Sequence, residues 1–193
     1  MKRLPYLAIF LMLMLSVNLK AQKIKLAEGS IDAVKGESSI AFEFTYDNMK
    51  VGKFDKEADY VAKKTEDYNK KEDGKGDTWA KAWIDDRKYR FEPKFIELFT
   101  EYSGKTENKK AKYIMVFKTI FTEPGYNVGV SRKNAKIDAD VWIVEATNKN
   151  NVVAKLTVED ALGRTFWGTD YDTGARIAET YADAGKALGK YFK

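Results

Sequence analysis

Apolar and other residues alternate where Ile40, Phe42, Phe44 and Tyr46 interleave with Ser39, Ala41, Glu43 and Thr45. Period two with one apolar parity predicts a half-buried strand. The same period recurs at Ile137, Ala139, Val141 and Ile143, and again at Val152, Ala154, Leu156 and Val158. Between these two runs, Asn148-Lys149-Asn150-Asn151 has hairpin-turn chemistry, so the two strands are expected to be antiparallel neighbours. Residues 113–122 are apolar on both parities, the pattern of a central strand covered on both sides. Ile24 and Leu26 mark a short extended piece ahead of the first strand.

Helical periods fill the rest. Residues 55–73 are heavily charged, with acid-before-base pairs at i,i+4 (Asp59–Lys63, Glu66–Lys70, Asp67–Lys71) that support a solvated helix. Gly74 and Gly76 interrupt it, and Asp77 is placed to cap a successor over 78–102, where Trp79, Trp83, Phe91, Phe95, Leu98, Phe99 and Tyr102 hold helical spacing. Pro93 has no N–H to donate, which predicts a kink or restart near 90–93. Over 173–192, Ile177, Tyr181, Ala184, Leu188 and Tyr191 form one apolar stripe. Ala178, Ala182, Gly185 and Gly189 form a small-residue face beside it, expected to bring the helix backbone close to the sheet. The order β, α, α, β, β, β, α predicts an α+β fold. The expected form is a two-layer sandwich, with a mostly antiparallel sheet of about four strands, helices packed on one face and a C-terminal helix.

The start of the chain has a different character. Lys2 and Arg3 precede an almost unbroken apolar run over 4–17, and Ala21 offers a small residue for cleavage. That is the layout of a secretory signal peptide over 1–21, and the run is shorter than the ~20 residues that span a bilayer. Residues 22–193 are then one α+β domain. Signal removal takes Lys2, Arg3 and Lys20 and no acid, so the net charge of +5 falls by three. Bulk basicity therefore gives no reason to expect a nucleic-acid partner. The expected location is the periplasm or the exterior, with no transmembrane anchor and no lipid anchor.

Composition narrows the chemistry. The 193 residues hold no Cys and no His, which excludes thiol catalysis, a Ser-His-Asp triad and the usual zinc sites. No cofactor motif is present: Gly125 and Gly129 fit no phosphate loop, and Pro124-Gly125 reads as a type II turn. The Asn69–Asp77 stretch fails EF-hand spacing, so no metal site is assigned. Acids come in close pairs at Asp85–Asp86, Asp138–Asp140, Glu159–Asp160 and Asp170–Asp172. Two carboxylates can hydrolyse a sugar bond, but with 29 acids such neighbours arise by chance.

Two connections stand out as recognition candidates. Residues 123–136 carry Tyr126, Arg132 and Lys133; they form either a long binding loop or, through Val128 and Val130, an extension of the flanking strands. Residues 163–173 crowd Arg164, Phe166, Trp167 and Tyr171 between glycines. These two groups, Tyr126, Arg132, Lys133 and Arg164, Trp167, Tyr171, are the expected partner-binding residues.

The stretches Trp79–Trp83 through Arg90-Phe91-Glu92-Pro93-Lys94-Phe95, Phe121-Thr122-Glu123-Pro124-Gly125-Tyr126-Asn127-Val128-Gly129-Val130 and Asp172-Thr173-Gly174-Ala175-Arg176-Ile177 resemble a family of exported, uncharacterised proteins of Bacteroides-type bacteria. So does the Lys20-Ala21-Gln22 ending of the signal segment. The resemblance covers nearly the whole chain after the signal and brings no activity and no site. More loosely, a sheet closed by an Ala/Gly-rich helix is similar to envelope lipoprotein domains with an anticodon-binding-like βαββα core, although this chain lacks their lipid-bearing Cys. The expected function is that of a non-catalytic secreted or periplasmic envelope protein that binds a protein partner or a surface glycan. A small carboxylate-dependent hydrolase of glycan or cell-wall material is the alternative.

Overall fold

Strand-forming segments that share one apolar parity must bury it together, and here they do so in a single large sheet. The computed structural model describes residues 22–128, 130–163 and 169–193. The sheet contains β1 (Lys23–Gly29), β2 (Ser39–Thr45), β3 (Lys50–Val51), β4 (Thr106–Glu107), β5 (Tyr113–Glu123), β8 (Lys136–Glu145) and β9 (Asn148–Leu162). Their order is β1-β9-β8-β5-β2-β4, with β3 pairing β5 as well. β1, β9, β8 and β5 are successively antiparallel, whereas β2 and β3 run parallel to β5, and β4 parallel to β2. A separate hairpin, β6 (Tyr126–Val128) with β7 (Ser131–Lys133), lies between β5 and β8.

The sheet corrects the expectation of about four mostly antiparallel strands: it is mixed and has seven. Two of the unforeseen strands are two residues long, too short to show a period. The parallel pairing follows from the connection, because a strand that leaves β2 and returns as β5 beside it in parallel needs a long crossover. Here that crossover is helical: α2 (Glu57–Asn69), α3 (Lys75–Asp86), a π-helical turn (Arg87–Phe91) and α4 (Glu92–Ser103). A four-residue helix, α1 (Asp32–Lys35), joins β1 to β2, and α5 (Thr173–Tyr191) ends the fold.

Pro93 does not break the long helix. It stands in the first turn of α4, where the π-helical turn meets it. Widening the helix ahead of Pro93 relieves its missing donor and the clash of its ring with the preceding turn. Gly104, at φ 73°, then ends α4 in the left-handed conformation that a side chain disfavours.

The helices cover the sheet face that carries Met115, Phe117, Ile137, Val141, Ile143, Leu156 and Val158, all buried. Phe95 of α4 packs on Phe117 with ring centroids 4.7 Å apart, and Phe99 meets Phe42 at 5.2 Å. Ile177, Tyr181, Ala184 and Leu188 of α5 join this core, and the Tyr181 hydroxyl shares a 2.6 Å hydrogen bond with Thr119 Oγ1 inside it. The small-residue face of α5 turns to α4 and not to the sheet. A Cβ at Gly185 would overlap the Phe95 backbone, and one at Gly189 would press on Phe99. On the opposite sheet face, Ala41, Ala111, Ile114 and Val144 form a small second cluster, and Trp142 is 42 % exposed. No helix among the described residues is long and apolar enough to cross a membrane.

Candidate functional site

Trp79, Trp83, Asp86 and Arg90 follow one another at spacings of four, three and four, which places them on one stripe of the α3–π segment. The stripe faces the first turn of α5. Gly174, in that turn, lies so close that any Cβ there would overlap the Asp86 carboxylate. Between the two elements is a cleft of about 290 Å³, lined by these residues with Tyr171, Asp172 and Gly174.

One guanidinium joins two carboxylates across the cleft. Arg90 Nε lies 3.0 Å from Asp86 Oδ1 on its own helix, and Arg90 Nη1 lies 2.7 Å from Asp172 Oδ1 on the other side. Asp172 is also the N-cap of α5, where its carboxylate accepts from the Ala175 amide at 3.3 Å and satisfies one of the orphan donors of that turn. Asp86 is the more enclosed acid. Burial raises its carboxyl above the ordinary carboxylate range; Asp172 and Asp85 push the same way, and the Arg90 charge opposes them.

The aromatic side of the cleft is rigid. Trp79 and Trp83 are buried and present only part of their rings. Trp83 Nε1 donates to Glu57 Oε1 at 2.5 Å, and the same oxygen pairs with Arg87. Tyr171 packs edge-on against Tyr68 at 5.1 Å and donates its hydroxyl to the Lys75 carbonyl at 3.1 Å. It also lines a wider, open depression with Glu72, Lys75, Thr78 and Thr169.

Arg176, one turn into α5, holds the approach to the cleft in place. It is 3 % exposed. Its Nη1 donates to the Thr169 carbonyl at 2.9 Å, Nη2 to the Asp170 carbonyl at 3.3 Å, and Nε to the Pro124 carbonyl at 3.4 Å. A single buried cation thus ties the segment before α5 to the foot of the β6–β7 hairpin.

These positions sort the residues singled out from the sequence. Tyr171 is on the cleft. Tyr126, Arg132 and Lys133 lie together on the β6–β7 hairpin, with Lys133 paired to Glu123 at 2.6 Å and the Tyr126 hydroxyl accepting from Ser131 at 3.3 Å. Residues 123–136 do not prolong β5 and β8 into one longer hairpin; they form a separate short hairpin that exposes Val128 and Val130. Arg164 and Trp167 lie outside the described residues, as does Phe166.

The acid pairs adjacent in sequence do not act together in the cleft. Asp85 turns to Lys81 and Asp170 to Arg176, so the cleft takes one acid from each of two pairs, Asp86 and Asp172. Asp138 and Asp160 share Lys136 elsewhere. Arg90 and Arg176 carried no sequence signal beyond their presence in the segments of resemblance; the 79-83-86-90 spacing was the available clue to Arg90. Among the described residues, no group of three or more acids is placed to hold a metal ion.

No protein-family model matches the chain, and no curated protein matches it. Among solved structures, the chain is similar to a PelC dodecamer from Paraburkholderia phytofirmans, with a TM-score of 0.37 and 12 % identity over 83 % of this chain and 97 % of that one. A point variant of the same dodecamer in another crystal form gives a TM-score of 0.35 and 10 % identity, over 84 % and 96 %. At these TM-scores the likeness bears on neither the assembly nor the chemistry of this chain.

Proposed function

We propose that the chain is an exported, non-catalytic binding protein of the periplasm or cell exterior, and that its cleft holds a hydroxyl-rich group such as the end of a surface glycan. The observation that carries this reading is the Asp86–Arg90–Asp172 bridge beside the Tyr171 and tryptophan wall. Sugar hydroxyls donate and accept at once. A pair of carboxylates with a guanidinium between them offers both functions at fixed positions, and half-buried Tyr171, with the accessible parts of the two indoles, offers an apolar contact to the ring. A cleft of about 290 Å³ suits one or two rings and no more. Export is supported by the basic start and apolar run of residues 1–21.

The test is a polysaccharide-fragment panel read by tryptophan fluorescence, since Trp79 and Trp83 line the cleft. Asp172→Asn keeps an N-cap side chain but removes a charged acceptor, and is expected to weaken a bound fragment by about tenfold or more. Absence of binding across the panel, or binding indifferent to Asp172→Asn, refutes the reading. One observation favours a second reading, hydrolysis: a carboxyl raised by burial, Asp86, next to a second carboxylate. New reducing ends released from the same panel, and lost in Asp86→Asn, would make the protein an enzyme.

A further inference from the structure

The two edges of the sheet are finished differently. β1, at one edge, carries Lys23, Lys25 and Glu28 and a register shift between Leu26 and Glu28, devices that discourage another strand from adding. At the other edge, β4 covers only the start of β2. It pairs Ser39 with Thr106 and Ile40 with Glu107, and a last bond runs from the Asn108 amide to the Ile40 carbonyl at 3.0 Å. The chain then turns back on itself, with the Ala111 amide bonded to the Asn108 carbonyl, and departs into β5. Beyond Ile40, β2 continues to Thr45 with β5 on one side and, among the described residues, no strand on the other.

Alternate residues of a strand turn their main-chain groups to opposite neighbours. The Ile40 carbonyl faces the β4 side, so the N–H and C=O groups of Phe42 and Phe44 face that side too. The run Ala41-Phe42-Glu43-Phe44-Thr45 contains no Pro and no Lys, and its single charge, Glu43, is held by Lys149 at 2.5 Å. A groove of about 550 Å³ lies along this edge. Phe42, Phe44 and Tyr46 line its sheet side, and Ile84 of α3 lines the helical side together with the charged Arg87, Lys88 and Glu92, so the groove is apolar along the strand and at Ile84 and charged beyond them. Glu43 points to the other sheet face yet also lines the groove, which places the groove at the strand's edge and not only over its face. Ile84 is 48 % exposed there.

We propose that the 42–45 edge of β2 docks an extended peptide segment of a partner protein, which adds a strand beside β2 and seats every second, apolar side chain in the groove. The occupant follows from the main chain: a row of donors and acceptors at strand spacing is complementary to another extended backbone. β4 already pairs with this same edge one step earlier. The site is separate from the cleft, and the proposal does not depend on the glycan reading.

Selection of displayed random heptapeptides on the protein tests it. Sequences with apolar residues at every second position are expected to enrich. A synthetic enriched peptide should slow amide exchange at Phe42 and Phe44 and should lose about tenfold or more in affinity when the amides facing β2 are N-methylated, while methylation of the other amides has little effect. Ile84→Lys, at a position 48 % exposed, should weaken it as well. The proposal is overturned by an absence of enrichment, by binding indifferent to both N-methylation and Ile84→Lys, or by exchange protection at Phe42 and Phe44 that grows with protein concentration alone. That last result would place a second copy of the chain on the edge.

Discussion

Arg176→Met removes the cation at the base of the cleft while keeping an unbranched apolar side chain in its place. Three main-chain carbonyls lose their donor: Thr169 at 2.9 Å, Asp170 at 3.3 Å and Pro124 at 3.4 Å. A hydrogen bond from a charged donor contributes about 1.5–3 kcal/mol, and the two longer ones count for roughly half of that. The Asp170 carboxylate, 3.8 Å away, is too distant and too exposed to add much. Against this, losing a guanidinium that is only 3 % exposed also removes its desolvation cost, so the total stays below the sum of the bonds. We expect a net loss of about 3–4 kcal/mol, or roughly 10 °C in Tm for a chain of this size. Urea unfolding followed by tryptophan fluorescence measures it. Arg176→Lys keeps the charge but cannot fork to three carbonyls, and is expected to recover less than half of the loss. A change below about 1 kcal/mol in Arg176→Met would show that the carbonyls find water without difficulty, and would refute the idea that this side chain fixes the approach to the cleft.

Further perturbations probe the helix contact, the buried hydroxyl pair and the cleft acid separately. Gly185→Ala should cost about 1–3 kcal/mol in unfolding free energy, because α5 must move off the Phe95 backbone; a neutral result would mean that the helices separate freely. Tyr181→Phe leaves Thr119 Oγ1 without its partner at full burial and should cost about 1–3 kcal/mol, much of it recovered in Tyr181→Phe/Thr119→Val, as a double-mutant cycle would show. The pH dependence of Asp86 follows from its raised carboxyl. Folding favours the protonated form, so its ionisation destabilises the protein above the folded pKa, and that penalty is relieved as pH falls through it towards the unfolded value. Asp86→Asn should therefore be most stable relative to the parent at neutral pH and lose that advantage on acidification; equal spacing of the two denaturation midpoints from pH 7 to pH 3 would contradict the assignment.

What could be read along the chain was whatever repeated. Ile40 to Tyr46, Ile137 to Ile143 and the 177–188 stripe each state their geometry several times over, and each forms the element expected. β3 and β4 state theirs once, in two residues apiece, and exist because β5 and β2 offer them a partner. β1 is exposed along most of its length, so burial wrote little pattern into it. The small-residue face of α5 was legible as a close approach, but its neighbour, α4, was not, because close packing requires small side chains whatever the partner. The cleft was half visible. Asp86 and Asp172 each stand in a sequence pair, but beside the wrong acid, since adjacency in sequence does not decide which carboxylates meet across a fold. Long-range pairs such as Arg90–Asp172 leave no local trace.

The π-helical turn sets a phase. One α-helical residue advances the helix by about 100°, so a single residue more or less between Trp83 and Phe95 would swing everything after it by more than a quarter turn. With the turn as it stands, Trp79, Trp83 and Asp86 look towards α5 from one end, while Phe95 and Phe99 reach the sheet from the other. Residues 87–91 thus act as a spacer whose length is fixed by two unrelated surfaces at once. Substitutions there that respect packing are tolerable. A one-residue deletion keeps either the cleft or the Phe95–Phe117 contact, and cannot keep both.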